Sequence, residues 1–278
     1  MDMGILIYQV DAFTEEPFKG NPAAVCICKK QYSDEVLQLI AAEMNLSETA
    51  FIRNQNDKPP EGSDMFSLRW FTPKTEVPLC GHATLASALV LFNDFKIPQG
   101  KVIFCTKSGK LTARKEEGNI ALDFPRNESV PTNPDKDLLK AVGVTNFKSA
   151  HVSKSSRKLL IHARNEKELL SLRPDFERMK SIHTSDDVWG VIVTAEGHPP
   201  YDFVSRFFAP WVGINEDPVT GAAHTVLAPY WSKILGKHRM HARQASARGG
   251  EMTVVMRPNN RVDLIGKGVI ISKGRLFL

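Results

Sequence analysis

The sequence predicts an α+β protein built from two similar halves, each a rolled, mostly antiparallel sheet around a central helix. An internal repeat is the first reason. Phe71-Thr-Pro73 leads through Glu76 to Pro78-Leu-Cys-Gly81-His82-Ala-Thr84, and Phe208-Ala-Pro210 leads through Glu216 and Asp217 to Pro218-Val-Thr-Gly221-Ala-Ala-His224-Thr225. The second reason is the character of the helical runs that these glycines open. Ala83, Leu85, Ala86, Ala88, Leu89, Val90 and Leu91 leave no polar face, so a sheet must enclose that helix. The third is length: 278 residues is near the size at which a single core stops growing. The expected division is 1–125, with 267–278 as an optional added strand, and 130–266.

In the first half, Ile5 to Phe13 reads as a strand, Gly20-Asn21-Pro22 as a turn and Ala23 to Cys28 as a second strand. Ser33 is placed to cap a helix whose first turn carries Asp34 and Glu35, favourable against the helix dipole. Val36, Leu37, Leu39, Ile40 and Met44 supply its apolar stripe, and Asn45 ends it. Ser47 to Ile52 returns as a strand, Asn54 to Ser63 is a polar loop, and Met65 to Phe71 is a strand. After the enclosed helix come strands at Lys101 to Cys105, Leu111 to Lys115 and Ile120 to Phe124, with turns at Gly109 and Gly118. Pro125 to Pro134 reads as a linker.

The second half predicts strands near Ala150, Leu159 to Ala163, Trp189 to Ala195 and Tyr201 to Phe208, with helices near Asp135 to Val142 and Glu166 to Leu172. Its enclosed helix starts at Thr220, a good N-cap type, and stops at Gly236. Pro229 falls inside it, where it costs about 3 kcal/mol or bends the helix. Strands separated by Gly249-Gly250 and Asn259-Asn260 fill Arg239 to Leu278.

Composition narrows the function classes. With 42% hydrophobic and 24% charged residues, no run approaches the ~18 apolar residues of a membrane span. The N-terminus lacks the positive charge of a secretory signal, and four cysteines, Cys26, Cys28, Cys80 and Cys105, are too sparse for a disulfide framework. A cytoplasmic location is expected. The net charge of +5 includes a basic stretch with Lys237, His238, Arg239, His241, Arg243 and Arg248. Without stacking aromatics or a recognisable module it reads as a solvated strand and turn, not a nucleic-acid surface. His224, His238 and His241 match no zinc spacing, so no metal or cofactor is expected.

The chemistry concentrates at the repeat. A glycine at a helix start admits another group close to backbone N–H donors, and the dipole adds positive potential there. If the two copies face each other about a pseudo-twofold axis, both starts converge on a cleft for a small carboxylate. The alternative is a relic of duplication whose glycines serve helix packing. Glu48, among Ala50, Phe51 and Ile52, is placed for partial desolvation that raises its pKa toward general acid/base use. The bland alternative is a solvated strand glutamate. His82 follows Gly81, where the dipole disfavours the imidazolium, so a neutral ring is expected; otherwise it is a first-turn histidine bonded to a carbonyl. Asp217 orients His82, holds an amine, or is ordinary turn chemistry before Pro218.

Asp11-Ala-Phe13, Gly20-Asn-Pro22, Asn45-Leu-Ser-Glu-Thr49, Cys80-Gly-His-Ala-Thr84 and Glu216-Asp-Pro-Val-Thr-Gly221 occur in one order. In this the chain resembles the PhzF-like isomerases, and among them their animal branch, from first strand to last. The resemblance implies a diaminopimelate-epimerase-like fold and a homodimer. It also implies a cofactor-independent isomerase that moves a proton on a small cyclic or unsaturated carboxylic acid. By motif it makes Glu48, His82 and Asp217 catalytic, and Asn21, Gly81, Thr220, Gly221 and Ala222 substrate-binding. At Ala222 the family usually has Ser, so one hydroxyl contact is missing, and animals make no phenazines. The rival expectation is therefore a catalytically silent ligand-binding or protein-interaction scaffold on the same fold. A two-thiol epimerase is disfavoured, because the residues before the two helix glycines are Cys80 and Thr220.

Overall fold

The computed structural model describes residues 4–55, 60–95, 97, 100–183 and 188–278. The first three residues and the centre of the loop expected over Asn54–Ser63 lie outside them. In chain order the first elements are β1 (Ile5–Ala12), β2 (Asn21–Cys28), α1 (Asp34–Met44), β3 (Glu48–Asn54), β4 (Met65–Phe71), β5 (Glu76–Val77), α2 (Gly81–Asp94), β6 (Lys101–Thr106), β7 (Gly109–Glu116) and β8 (Asn119–Pro125). Then come β9 (Val130–Pro131), α3 (Lys136–Val142), β10 (Phe147–Ser153), β11 (Lys158–Ala163), α4 (Glu166–Ser171), α5 (Phe176–Ser181), β12 (Gly190–Glu196) and β13 (Phe203–Phe208). The last are α6 (Gly221–Leu235), β14 (Arg239–Gln244), β15 (Gly250–Arg257), β16 (Arg261–Gly266) and β17 (Gly268–Leu276). Two compact units result, one of 1–124 with 265–278 and one of 125–264.

The first unit runs β17-β1-β2-β3-β4-β6-β7-β8 across its sheet, with β5 on the side of β4. α2 touches β1, β2, β3, β7 and β17. Strands stack about 4.8 Å apart, so in a flat sheet β17 and β7 would lie roughly 29 Å apart, beyond the reach of one helix about 10–12 Å wide. The sheet therefore curls around α2, whose all-round apolar surface demands it. Leu85, Val90 and Leu91 are fully buried there, each contributing about 1.5–3 kcal/mol. On the outer face α1 lays Leu37, Ile40 and Ala41 against Cys26, Cys28 and Phe51. Its predicted ends hold: Ser33 accepts from Val36 N–H, and Asn45 closes it in the left-handed region. Because β2 and β3 are covered on both faces, nearly every residue of both is buried, and β2 reads as a near-continuous apolar run. Gly20 has φ +62°, and a Cβ there would stand 2.1 Å from the Ala12 carbonyl oxygen, which is why the β1–β2 turn needs glycine.

The second unit repeats the scheme. Along β1-β2-β3-β4-β6-β7 the pairings are antiparallel, parallel, antiparallel, parallel, antiparallel, and β10-β11-β12-β13-β14-β15 repeats that order of senses. α6 takes the place of α2. Its Tyr230 hydroxyl meets Ser149 on β10 and His162 on β11, and Trp231 donates to Thr194 on β12 and stacks on Phe203 of β13. A helix that reaches four neighbouring strands is wrapped by them. α3, α4 and α5 cover the outer face with Leu138, Val142, Leu169 and Met179 against Leu159, Ile161, Val191 and Val193.

Three local features add to or correct the expectations. The segment read as a linker contains β9, which pairs with β10 through Val130 and Pro131. α5 was not foreseen, although Asp175 caps it by accepting from Arg178 N–H. α6 is helical from Gly221 to Leu235 with Pro229 inside it. Proline there removes the N–H that would serve the Thr225 carbonyl, and Asn127 N–H donates to that carbonyl at 3.1 Å instead. Asn127 Nδ2 also donates to Thr225 Oγ1 at 2.9 Å. A neighbouring segment thus satisfies the group that proline orphans.

Candidate functional site: a buried carboxylate, imidazole and thiol

Glu48 is the first residue of β3, paired in parallel register with Ala23 of β2. Asn21 lies two residues before Ala23 on the same face and is buried. α2 begins against this strand end, and its first turn carries His82. His82 Nε2 stands 3.1 Å from Glu48 Oε2, and Cys80 Sγ lies 3.5 Å from His82 Nδ1. Glu48, Cys80 and His82 are 9%, 6% and 5% exposed, so their charges interact with little screening by water. Of the two readings of Glu48, the fold builds the desolvated one and not the solvated strand glutamate.

Burial drives the Cys80 thiol up to about 11, so it is a thiol at neutral pH. For His82 burial opposes the charged ring, but the Glu48 carboxylate, with the Cys80 sulfur as a second acceptor, outweighs it and raises the imidazole well above its ordinary value. This corrects the expectation of a neutral ring at the helix start. The dipole is worth ~0.3–1 kcal/mol, whereas a carboxylate 3.1 Å away in a buried site is worth more.

In the second unit the structure brings Asp217 and Thr220 together at the start of α6, followed by Gly221 and Ala222. The Thr220 hydroxyl donates to Asp217 Oδ2 at 2.5 Å rather than capping its helix. Gln244, from β14, locks this corner. Its Oε1 accepts from Thr220 N–H at 2.8 Å, and its Nε2 donates to the Asp217 carbonyl at 2.7 Å. Cys80, at the start of α2, likewise makes no side-chain cap.

Each helix-opening loop is tied down by an arginine that the sequence reading missed. Arg69 grips Glu76 through Nε and Nη2, both at 2.8 Å, with its guanidinium 5.0 Å from the Phe71 ring centre. Arg206 grips Glu216 at 2.7 and 2.9 Å and lies 4.9 Å from the Phe208 ring centre. The signal was present: an arginine stands two residues before the aromatic in both copies, Arg69 before Phe71 and Arg206 before Phe208. The repeat therefore conserves a clamp as well as a turn.

Other sequence features find ordinary places. The basic stretch enters β14, where exposed and buried side chains alternate, and Lys237 pairs with Asp202. Among the described residues no helix is long and apolar enough to cross a membrane. The donor atoms of Glu48, Cys80 and His82 lie within 4.8 Å of one another, the one such cluster among the described residues with potential metal ligands.

Comparison with known proteins places this geometry in context. Residues 10–274 match the family model PhzC-PhzF, phenazine biosynthesis-like protein. The chain is 47% identical to the phenazine biosynthesis-like domain-containing protein of Bos taurus, over 99% of each chain. It is 45% identical to a protein named an uncharacterised isomerase in Pseudomonas aeruginosa, over 99% of this chain and 100% of that one. A crystal structure of a PhzF-family phenazine biosynthesis protein from Enterococcus faecalis superposes with a TM-score of 0.88 at 42% identity, covering 99% and 100% of the two chains. A hydroxyproline epimerase from Agrobacterium vitis shares the fold alone, with a TM-score of 0.59 at 11% identity. Full-length matches of this kind, on top of the ordered motifs and the repeated wrapped-helix units, show that the chain belongs to the phenazine biosynthesis-like (PhzC-PhzF) protein family.

Proposed function

We propose that this protein is an isomerase that moves a proton on a small cyclic or unsaturated carboxylic acid by acid/base chemistry, with Glu48 as the shuttling group. The observation that carries this is the buried Glu48–His82 pair, 3.1 Å apart at the start of α2, in a family with relatives named isomerases. The Glu48 carboxylate takes a proton from an acidic C–H, and the electron pair delocalises into the adjacent unsaturated system. The same group, now a carboxylic acid, returns the proton to a second carbon, so no atom or electron is gained overall. His82, charged by its neighbours, orients the carboxylate and offsets negative charge developing on the substrate. Asp217, held by Thr220 and Gln244, serves as the assisting group of the second unit.

The test is solvent deuterium incorporation followed by NMR, with wild type and Glu48→Gln incubated with candidate acids and then with a metabolite extract. Loss of the carboxylate is expected to slow exchange by ~10²–10⁴-fold. Equal exchange in both proteins refutes the assignment. Ala222, where the family usually carries serine, supports the alternative of a silent scaffold, and conversion of any acid by the wild type eliminates that alternative.

A further inference from the structure

The two units differ in charge at one corner of the repeat. In the first unit Glu48 opens β3 opposite Ala23 of β2, and in the second Gly190 opens β12 opposite Lys158 of β11. The second unit therefore has glycine where the first has its carboxylate, and a lysine where the first has alanine. A Cβ on Gly190 would stand 2.4 Å from the Phe207 ring, so Phe207 takes the space of the missing side chain.

Side chains alternate along a strand, so Lys158 shares a face with His162, and Gly190 with Thr194, the residues that meet Tyr230 and Trp231 of α6. Back from Thr194 to Gly190 the strand covers ~13 Å, and back from Trp231 to Gly221 the helix covers ~15 Å. Asn127 fixes the direction: its Oδ1 accepts from Ser155 in the β10–β11 turn, and its two N–H groups donate to Thr225, near the helix start. Lys158 thus lies on the α6 face of the sheet, level with the first turn of that helix.

Its surroundings suit an anion. Lys158 is half-buried, with Nζ 5.9 Å from the Phe207 ring centre and donating to the Ser156 carbonyl at 2.9 Å. Among the described residues no carboxylate pairs with it, and burial lowers the amine from 10.5 to about 8. At pH 7 it is still a cation, and a charge withdrawn from water calls for a counter-charge. The Ser156 hydroxyl in the adjoining turn is buried with no hydrogen-bond partner. An amine and a hydroxyl with protons to give match the two oxygens of a carboxylate, and Phe207 offers an apolar wall to the rest of the acid. We infer that Lys158 and Ser156 form a binding site for the carboxylate of one small, otherwise apolar organic acid. The ligand class agrees with the proposed isomerase substrate, but the site stands on the second unit alone.

The probe is benzoate, with uncharged benzamide as control, titrated into the full-length protein by isothermal calorimetry at pH 7. One benzoate per chain is expected. Lys158→Met is expected to weaken benzoate at least ~10-fold, the worth of a hydrogen bond to a charged group, while Lys158→Arg stays within a few-fold of wild type. Benzamide is expected to bind at least ~10-fold more weakly than benzoate, for the same reason. The wild type alone gives a second reading: acetylation of Lys158 by acetic anhydride, followed by peptide mass spectrometry, is expected to be suppressed by benzoate and unaffected by benzamide. The inference is overturned by benzoate that does not bind in the millimolar range, that binds Lys158→Met as well as wild type, or that leaves Lys158 acetylation unchanged. Equal protection by inorganic phosphate overturns the carboxylate class. Benzoate binding without deuterium exchange would refute only the isomerase, and exchange without benzoate binding only this site.

Discussion

Replacing Arg206 with Met isolates what the loop clamp contributes. The guanidinium makes two charge-assisted bonds to Glu216 at 2.7 and 2.9 Å, and its Nη1 donates to the carbonyls of Leu172 and Leu169 at 3.0 and 3.3 Å. The Arg206 and Glu216 side chains are 10% and 20% exposed, nearer the buried limit than the surface one. Breaking a buried pair costs ~3–5 kcal/mol, while an exposed pair is worth ~0–1. Met keeps the apolar stem over Phe208, and both carbonyls have other donors, Leu172 N–H and the Arg173 side chain, so they add little. The expected loss is about 3 kcal/mol, or about 6–12 °C in melting temperature by scanning calorimetry. Arg69→Met is the internal control. Arg69 is more exposed, at 23%, and Lys107 also pairs with Glu76, so about 1–2 kcal/mol is expected. A loss below about 1 kcal/mol for Arg206→Met, or a larger loss for Arg69→Met, refutes the burial reasoning. The double variant Arg206→Met with Glu216→Gln must also lose less than the sum of its parts.

Two further outcomes follow from the second unit's helix. Burial lowers His224 from its ordinary 6.5 to about 4, only partly opposed by the Thr220 carbonyl 2.8 Å from its Nδ1. Between those values the unfolded chain holds the extra proton, so the stability His224 contributes is present above pH 6.5 and lost as pH falls toward 4. The loss is on the order of 3 kcal/mol at 1.36 kcal/mol per unit. Urea denaturation at pH 7 and pH 4.5 should show a smaller acid loss in His224→Gln; an equal loss contradicts the shift. His82 has the opposite sign, its contribution being present at low pH and lost as pH rises through its raised value. Pro229→Ala should change stability by less than about 1 kcal/mol instead of gaining the ~3 that an interior proline normally costs, because Asn127 N–H already serves Thr225. A gain of 2 kcal/mol or more in denaturant titration would falsify that compensation.

The sequence by itself determined what periodicity and local chemistry can encode. The all-apolar runs after Gly81 and Gly221 required wrapping sheets, Ser33 and Asn45 marked both ends of α1, and the Pro-x-x-Gly repeat announced two copies of one unit. Each of these depends on residues within a turn or two of one another. Tertiary structure alone decided which distant groups met. Glu48 and His82 come together because β3 lies against the start of α2, and no spacing along the chain states that Cys80 joins them. The charge on His82 likewise came from its neighbours, which overrode both burial and the helix dipole that the sequence could supply. Pro229 is a breaker by local rules and tolerable only where Asn127 arrives from outside the helix. Hydrogen bonds and charges act over about 3 Å in space, whatever separates their owners along the chain, so the fold could be read from the sequence while the state of its site could not.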